Sequence, residues 1–236
     1  MPFAVAARYR AGHAQRGRRG AVPGRGGILG RMTHEHAPHR TPETAAGWDE
    51  RYGATRIWSG EPNGALMALT SDLAPGTALD VGCGEGADAV WLARRGWTVT
   101  GLDVSRVAVD RARAAAEAAG VEITWLVEGF GERPLGPFDL VSAQYPAVPK
   151  RGDDAAVRAF ADAVTPGGRL VFVHHELDET PHGFDPADYV MPEDVVTYLT
   201  GQGWQIETNE IRERHLERGA GSGHSWDRMV VARRGA

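Results

Sequence analysis

From Ala78 onward, short apolar runs alternate with longer stretches in which apolar residues recur every three or four positions. The first pattern has the period of a strand and the second that of a helix. Ala78–Val81, Thr98–Leu102, Ile123–Val127, Phe138–Ala143 and Arg169–His174 read as strands. Between and after them, Ala87–Arg95, Val104–Ala119, Asp153–Val164 and Met191–Gln202 read as helices. Val90, Leu92 and Ala93 are expected to face inward on the first of these, and Gly120 to stop the second. Gln205–Asn209 and Arg228–Ala232 complete the set as strands. Upstream, Thr41-Pro-Glu-Thr44 offers an N-cap with proline at the first helical position, leading into a helix through Trp48 and Tyr52. Those two aromatics are four apart and share a face. A second helix is expected over Ala65 to Leu73, ended by Pro75-Gly76. Strand–helix alternation with short turns predicts an α/β fold, a doubly wound, mostly parallel sheet with helices on both faces. Ligands of such sheets bind at the carboxyl ends of the strands, where strand order reverses.

That rule directs attention to Leu79-Asp80-Val81-Gly82-Cys83-Gly84-Glu85-Gly86-Ala87, the turn from the first strand into its helix. Gly82, Gly84 and Gly86 let the backbone turn tightly and come close to a ligand. Seventeen residues beyond Gly86, Asp103 ends the second strand, placed to accept hydrogen bonds from ribose hydroxyls. By spacing alone, Gly82, Gly84 and Ala87 also satisfy the dinucleotide pattern G-x-G-x-x-G/A. Charge separates the two readings. A dinucleotide would bring its pyrophosphate over a loop that carries Asp80 before it and Glu85 within it, and like charges repel. S-adenosylmethionine has no phosphate; its ammonium and sulfonium are drawn to Asp80. The loop reads as one for a cation.

Charge is also uneven along the chain. Residues 1–31 carry seven Arg and no acid, so that of a total of −5 the remaining 205 residues hold −12. An acidic body argues against a nucleic-acid substrate. Residues 1–40 are expected to be a basic, disordered arm, because 1–31 have no apolar periodicity with which to offset their ordering entropy. A transit peptide would share the arginines but also carry Ser, which is missing from 1–31; a nucleic-acid-touching arm is the other alternative. Met32 is read as the natural start. The methyl-donor domain is then 41–236. A single cysteine, Cys83, excludes an internal disulfide and a cysteine-rich zinc site, and reads as a small packing residue. No run of 18 apolar residues occurs, so no membrane partner is expected. A cytoplasmic setting, as monomer or homodimer, is the expectation.

LDVGCGEG and GLDVS resemble the first and second motifs of the class I S-adenosylmethionine-dependent methyltransferases. The resemblance implies seven strands with the last one, Arg228–Ala232, inserted antiparallel. More narrowly, Trp48-Asp-Glu-Arg-Tyr52 followed by Trp58-Ser-Gly-Glu-Pro-Asn looks like the N-terminal lid of the thiopurine and tellurite methyltransferase group. So do Phe138-Asp-Leu-Val-Ser-Ala-Gln-Tyr145 and Tyr189-Val-Met-Pro192. The likeness implies that Trp48, Tyr52 and Trp58, in a lid over 41–64, close on the donor. Gly82, Gly84 and Gly86 would hold its methionine part, and Asp103 with Val104 its ribose. Most class I enzymes place an aspartate after the third strand to read adenine; here that stretch is Val127-Glu128-Gly129-Phe130, so Phe130 is expected to stack on the ring beside Gly129.

The methyl acceptor is expected to be a small molecule, with a thiol, metalloid or heterocycle favoured and an O- or N-methylation of a secondary metabolite as the alternative. A non-catalytic donor-binding protein is the rival from outside enzymes. Gln144 and Tyr145 end the fourth strand, Gln144 on the donor side and Tyr145 toward the acceptor. His174 and His175 end the fifth, with His182 beyond. Tyr145, His174, His175 and His182 are the candidates to orient or deprotonate the acceptor, although alternate strand residues point to opposite faces, so at most one of the adjacent histidines faces the site while the strand continues. The spacing of His174, His175, Asp178 and His182 fits no established metal-ligand pattern, and no metal is expected.

Overall fold

The sheet has seven strands in the order β3-β2-β1-β4-β5-β7-β6, which reverses direction of growth at β1, as a doubly wound topology requires. The computed structural model describes residues 41–177, 184–214 and 225–236, all within the compact unit Pro38–Ala236. The expected basic arm and His182 lie outside the described residues. The strands are β1 Thr77–Val81, β2 Thr98–Asp103, β3 Thr124–Val127, β4 Phe138–Gln144, β5 Val164–His175, β6 Trp204–Glu213 and β7 Trp226–Arg234. The helices are α1 Ala45–Tyr52, α2 Gly64–Thr70, α3 Ala87–Arg94, α4 Arg106–Ala119, α5 Ala155–Asp162 and α6 Pro192–Leu199. β1 to β5 pair in parallel, while β7 inserts antiparallel between β5 and β6. This is a doubly wound, Rossmann-like sheet with an antiparallel last strand.

Alternation along each strand divides the core between the two faces of the sheet. Leu79 and Val81 of β1 and Leu170 and Phe172 of β5 pack with Phe160 of α5 and Leu199 of α6. Ala78, Val171 and Val173 turn the other way, onto Leu66 of α2 and Leu92 of α3. Asp80 shares the face of Ala78, and His175 that of Val173.

Several elements differ from the sequence reading. The first helix is capped by Thr44, whose side chain accepts from the Gly47 amide at 3.1 Å, rather than by Thr41. On α3 the fully buried residues are Asp88, Ala89 and Leu92, with Val90 and Ala93 only half-buried. The fourth helix starts later than expected because Ser105 caps it, accepting from the Ala108 amide at 3.1 Å; Gly120, at φ 67°, ends it as expected. β6 runs to Glu213 instead of Asn209. It is an edge strand with most residues exposed, so Glu207, Asn209, Glu210 and Arg212 are compatible with pairing while hiding its apolar signal. Among the described residues, no helix is long and apolar enough to cross a membrane.

Candidate functional site

The carboxyl ends of β1, β2, β4, β5 and the start of β7 surround a cavity of about 1000 Å³. Its floor is the turn after β1. Gly84 has φ 51°, and a Cβ there would lie 3.0 Å from Tyr52 Oη and 3.3 Å from Trp58 Nε1. The backbone is therefore bare just where the lid comes down. At Gly86, φ 86°, a Cβ would stand 2.7 Å from that of Ala112, so glycine also lets α3 start against α4.

The lid is fastened by polar contacts that sequence reasoning missed. Asp49 on α1 accepts from the Ser105 hydroxyl at 2.6 Å and the Val107 amide at 3.1 Å, at the N-terminus of α4 where a negative charge is favoured. The Ser105 bond leads the causes that hold the Asp49 carboxyl below its usual range. Arg111 of α4 donates to the carbonyls of Tyr52 (3.2 Å), Gly53 and Thr55 (2.9 Å) and to Glu85 Oε1 (2.8 Å). Glu85 also receives the Trp58 amide at 3.3 Å and lies 3.7 Å from Arg56. The charge of Glu85 is thus neutralised by lid and helix cations; it fastens the lid, and does not add to a field for a ligand as the sequence reading had it. A single acidic residue inside a loop carries no signal of its partner when that partner is 26 positions away.

Three other acids stand around the turn, Asp80 in β1, Asp88 in the first turn of α3 and Asp103 at the end of β2, and have amides for partners. Asp88 accepts from the Asn63 backbone and side-chain amides, both at 2.7 Å. Asp103 accepts from the amides of Gly84 (2.9 Å) and Ser105 (2.8 Å). Asp80 is 2% exposed, and its Oδ2 has no hydrogen-bond partner among the described residues. Burial, and then the charges of Asp88 and Asp103, push the Asp80 carboxyl well above its usual range. Burial raises those of Asp88 and Asp103 too, against the pull of their amide donors.

Trp48, Tyr52, Trp58, Gly82, Gly84, Gly86, Asp103, Val104, Gly129, Phe130, Gln144, Tyr145 and His175, all singled out from the sequence, line the cavity. Asp80 is placed one layer behind its wall, on the β1 strand below the loop. Gln144 donates through Nε2 to Ser142 Oγ at 3.1 Å, and its buried Oε1 has no partner among the described residues. Phe130 lines the cavity, 8% exposed, while its ring packs on Phe160 at 4.3 Å. His174 is not brought to the cavity: as the alternation of β5 dictates, it turns to the opposite face, 6% exposed and 5.8 Å from the Phe184 ring.

At the far end, a cluster gathers around Asp227, a residue the sequence did not flag. Tyr145, at φ 54°, donates its phenol proton to Asp227 Oδ2 at 2.7 Å. Burial, then Asp227, pushes that phenol up, so it stays protonated. His175 Nδ1 lies 3.2 Å from Asp227 Oδ1, and its ring stacks on Tyr145 at 4.4 Å. Arg214 stands 4.8 Å over the Tyr145 ring and 3.6 Å from Asp227 Oδ2. Among the described residues, no group of His, Cys, Asp and Glu is arranged to hold a metal.

Residues 78–168 match the family model described as a methyltransferase domain. The ubiquinone biosynthesis O-methyltransferase of Escherichia coli O9:H4 (strain HS) is 28% identical over 158 residues, covering 58% of this chain and 63% of that enzyme. The chain therefore spans somewhat under two thirds of the length of such relatives. A protein solved in work on conversion of a disulfide bond into a thioacetal group during echinomycin biosynthesis is 27% identical, with a TM-score of 0.62 over 81% of this chain and 93% of that one. TehB from Haemophilus influenzae shares the fold, with a TM-score of 0.59, 15% identity and coverage of 80% and 66%.

Proposed function

We propose that this chain binds S-adenosylmethionine beneath its lid and transfers the methyl group to a small-molecule acceptor. One observation carries the reading: Asp80 in β1, Asp88 in the first turn of α3 and Asp103 at the end of β2 are buried around the glycine turn, with amides rather than cations as hydrogen-bond partners. Such a set disfavours a phosphate and favours an incoming positive charge. The orphan acceptor Gln144 Oε1 in the wall fits a donor on a cationic ligand, Asp80 acts on it only through its field from behind the wall, and the bare backbone at Gly84 fits its close approach. In this reading Gly82 and Gly84 hold the methionine part, Asp103 the ribose, Gly129 and Phe130 the adenine, and Trp48, Tyr52 and Trp58 cover it. Bound there, the donor supplies an activated methyl group; the protein aligns the acceptor and excludes water.

The lid resemblance favours a thiol, metalloid or heterocycle as acceptor, and the relatives' names add a hydroxyl. The choice between sulfur and oxygen turns on whether a base stands at the acceptor end. Calorimetry tests the donor: S-adenosylmethionine and S-adenosylhomocysteine are expected to bind and NADH not to. Binding of NADH with no response to either sulfur compound overturns the reading. Product analysis with thiols, phenols and amines then tests turnover. Tight donor binding without S-adenosylhomocysteine formation on any of them favours a non-catalytic role.

A further inference from the structure

We infer that two copies of this chain join edge to edge, β6 against β6 in antiparallel pairing centred on Ile211, to form one continuous sheet. The partner is a second copy of the chain, whatever ligand the cavity takes.

The two edges of the sheet differ. β3 has four residues, whereas β6 has ten. Edge strands are ordinarily protected by proline, lysine or a bulge. β6 contains neither proline nor lysine, and its irregularity lies between Ile206 and Thr208. From Thr208 to Glu213 it pairs with β7 in unbroken register, and Asn209 to Glu213 are all exposed. The ladder fixes which of their backbone groups point outward. Arg214, next after β6, donates its amide to the Ser225 carbonyl at 2.8 Å. The carbonyl of Trp226, opposite Glu213, instead accepts from the Glu176 amide on the side of β5, at 2.9 Å. Bonded and unbonded pairs alternate in an antiparallel ladder, so Arg212 and Glu210 turn their N–H and C=O to β7, while Asn209, Ile211 and Glu213 turn theirs out.

One self-pairing satisfies both these groups and the charges. With the two-fold axis at Ile211, that residue meets its own copy and Asn209 meets the partner's Glu213, so each outward N–H finds an outward carbonyl. Glu210 then stands opposite the partner's Arg212, and Arg212 opposite the partner's Glu210. The ion pair that Arg212 makes with Glu210 within the chain becomes one side of a ring of alternating charges. Centring on Glu210 or on Arg212 would set like charges opposite each other, and centring on Asn209 would run the ladder into the irregularity after Ile206. Centring between residues would set an outward-bonding residue against an inward-bonding one. The apolar side chains agree. Ile211, opposite Arg228, and Trp226, opposite Glu213, lie on one face of the edge and are 46% and 50% exposed. Since Arg212 also lines the cavity, pairing brings an acid of the second copy to its wall. Five residues on each side fall well short of the roughly 20–30 of a standard stable interface, so the pair is expected to be weak, half formed at about 10–100 µM chain.

Sedimentation equilibrium of the full chain, from about 5 to 500 µM, reads the association. The mass is expected to rise from one chain toward two, and Ile211→Lys to hold it at one throughout. Arg212→Glu and Glu210→Arg each set like charges across the axis and should each weaken association about tenfold. An equimolar mixture of these two variants should recover it, because the facing charges are then opposite in sign. Circular dichroism establishes that each variant is folded; where a charge variant is not, Ile211→Lys alone decides. In the wild type, amide exchange followed by NMR should slow about tenfold at Asn209, Ile211 and Glu213 as the chain passes to nine-tenths dimer, with Glu210 and Arg212 unchanged. A wild type that remains one chain at the highest concentration overturns the inference. So does association that Ile211→Lys leaves intact, through the basic arm or another face, or a mixture no more associated than either charge variant alone. Slow exchange at the three outward amides at every concentration would mean that a segment of the same chain covers the edge, and overturns it too.

Discussion

Arg111 is the residue through which α4 holds the lid and the glycine turn together, and replacing it with Met gives a measurable test. The change keeps the aliphatic stem and removes a guanidinium that serves three lid carbonyls and Glu85. The Glu85 side chain is 3% exposed, so it cannot turn to water when its partner goes. Removing one member of a buried ion pair costs about 3–5 kcal/mol. Glu85 would retain the Trp58 amide and the more distant, half-exposed Arg56, which places the expected loss nearer about 2–3 kcal/mol. For a domain of this size that lowers Tm by roughly 5–10 °C. Urea unfolding followed by tryptophan fluorescence measures it, since Trp48 and Trp58 both lie in the lid. The double variant with Glu85→Gln should recover about 1–2 kcal/mol, because a neutral amide at that position no longer lacks its cation. An Arg111→Met protein within about 0.5 kcal/mol of wild type, or strict additivity with Glu85→Gln, would refute the claim that this pair is buried and coupled.

Two further outcomes follow from the carboxylate cluster and the turn. Because burial raises the Asp80 pKa above its ordinary 3.8, the protonated form is favoured by folding. Its contribution is fully present below 3.8 and is lost as pH climbs through the raised folded value, so ligand-free protein should lose stability as pH rises out of the acid range. Asp80→Asn is expected to flatten that dependence, raise Tm at neutral pH and weaken S-adenosylmethionine binding; a lower neutral Tm with unchanged binding would contradict it. Gly84→Ala sets a side chain at φ 51° and 3.0 Å from Tyr52 Oη, costing about 1–2 kcal/mol in backbone strain and displacing the lid. Weaker donor binding by calorimetry and an altered Trp58 emission are expected, and wild-type behaviour in both would show that the approach is not tight.

The residues of the turn were legible because their requirement is local. Gly84 and Gly86 sit at positive φ between a strand and a helix, and a short apolar run followed by three glycines encodes that without reference to the rest of the chain. The same holds for Asp103, whose place at a strand end follows from period alone; for His174 and His175 the two-residue repeat said only that one of them faces the site, and the structure chose His175. Helix ends were less legible, since Ser105 and Thr44 compete with neighbouring polar residues for the cap and only the packed geometry chooses between them.

What the sequence determined by itself was the order of strands and helices, the turn that forms the cavity floor and the acids around it. What only the tertiary structure decided was which charges remain for a ligand. Glu85 looked like part of the acidic site until Arg111, from α4, was seen to neutralise it. Asp227 looked like any polar residue near a chain end until the antiparallel insertion of β7 brought it to Tyr145 and His175, 82 and 52 positions away. Electrostatic pairing depends on distance in space, and the path of the chain carries no record of it until the sheet is assembled.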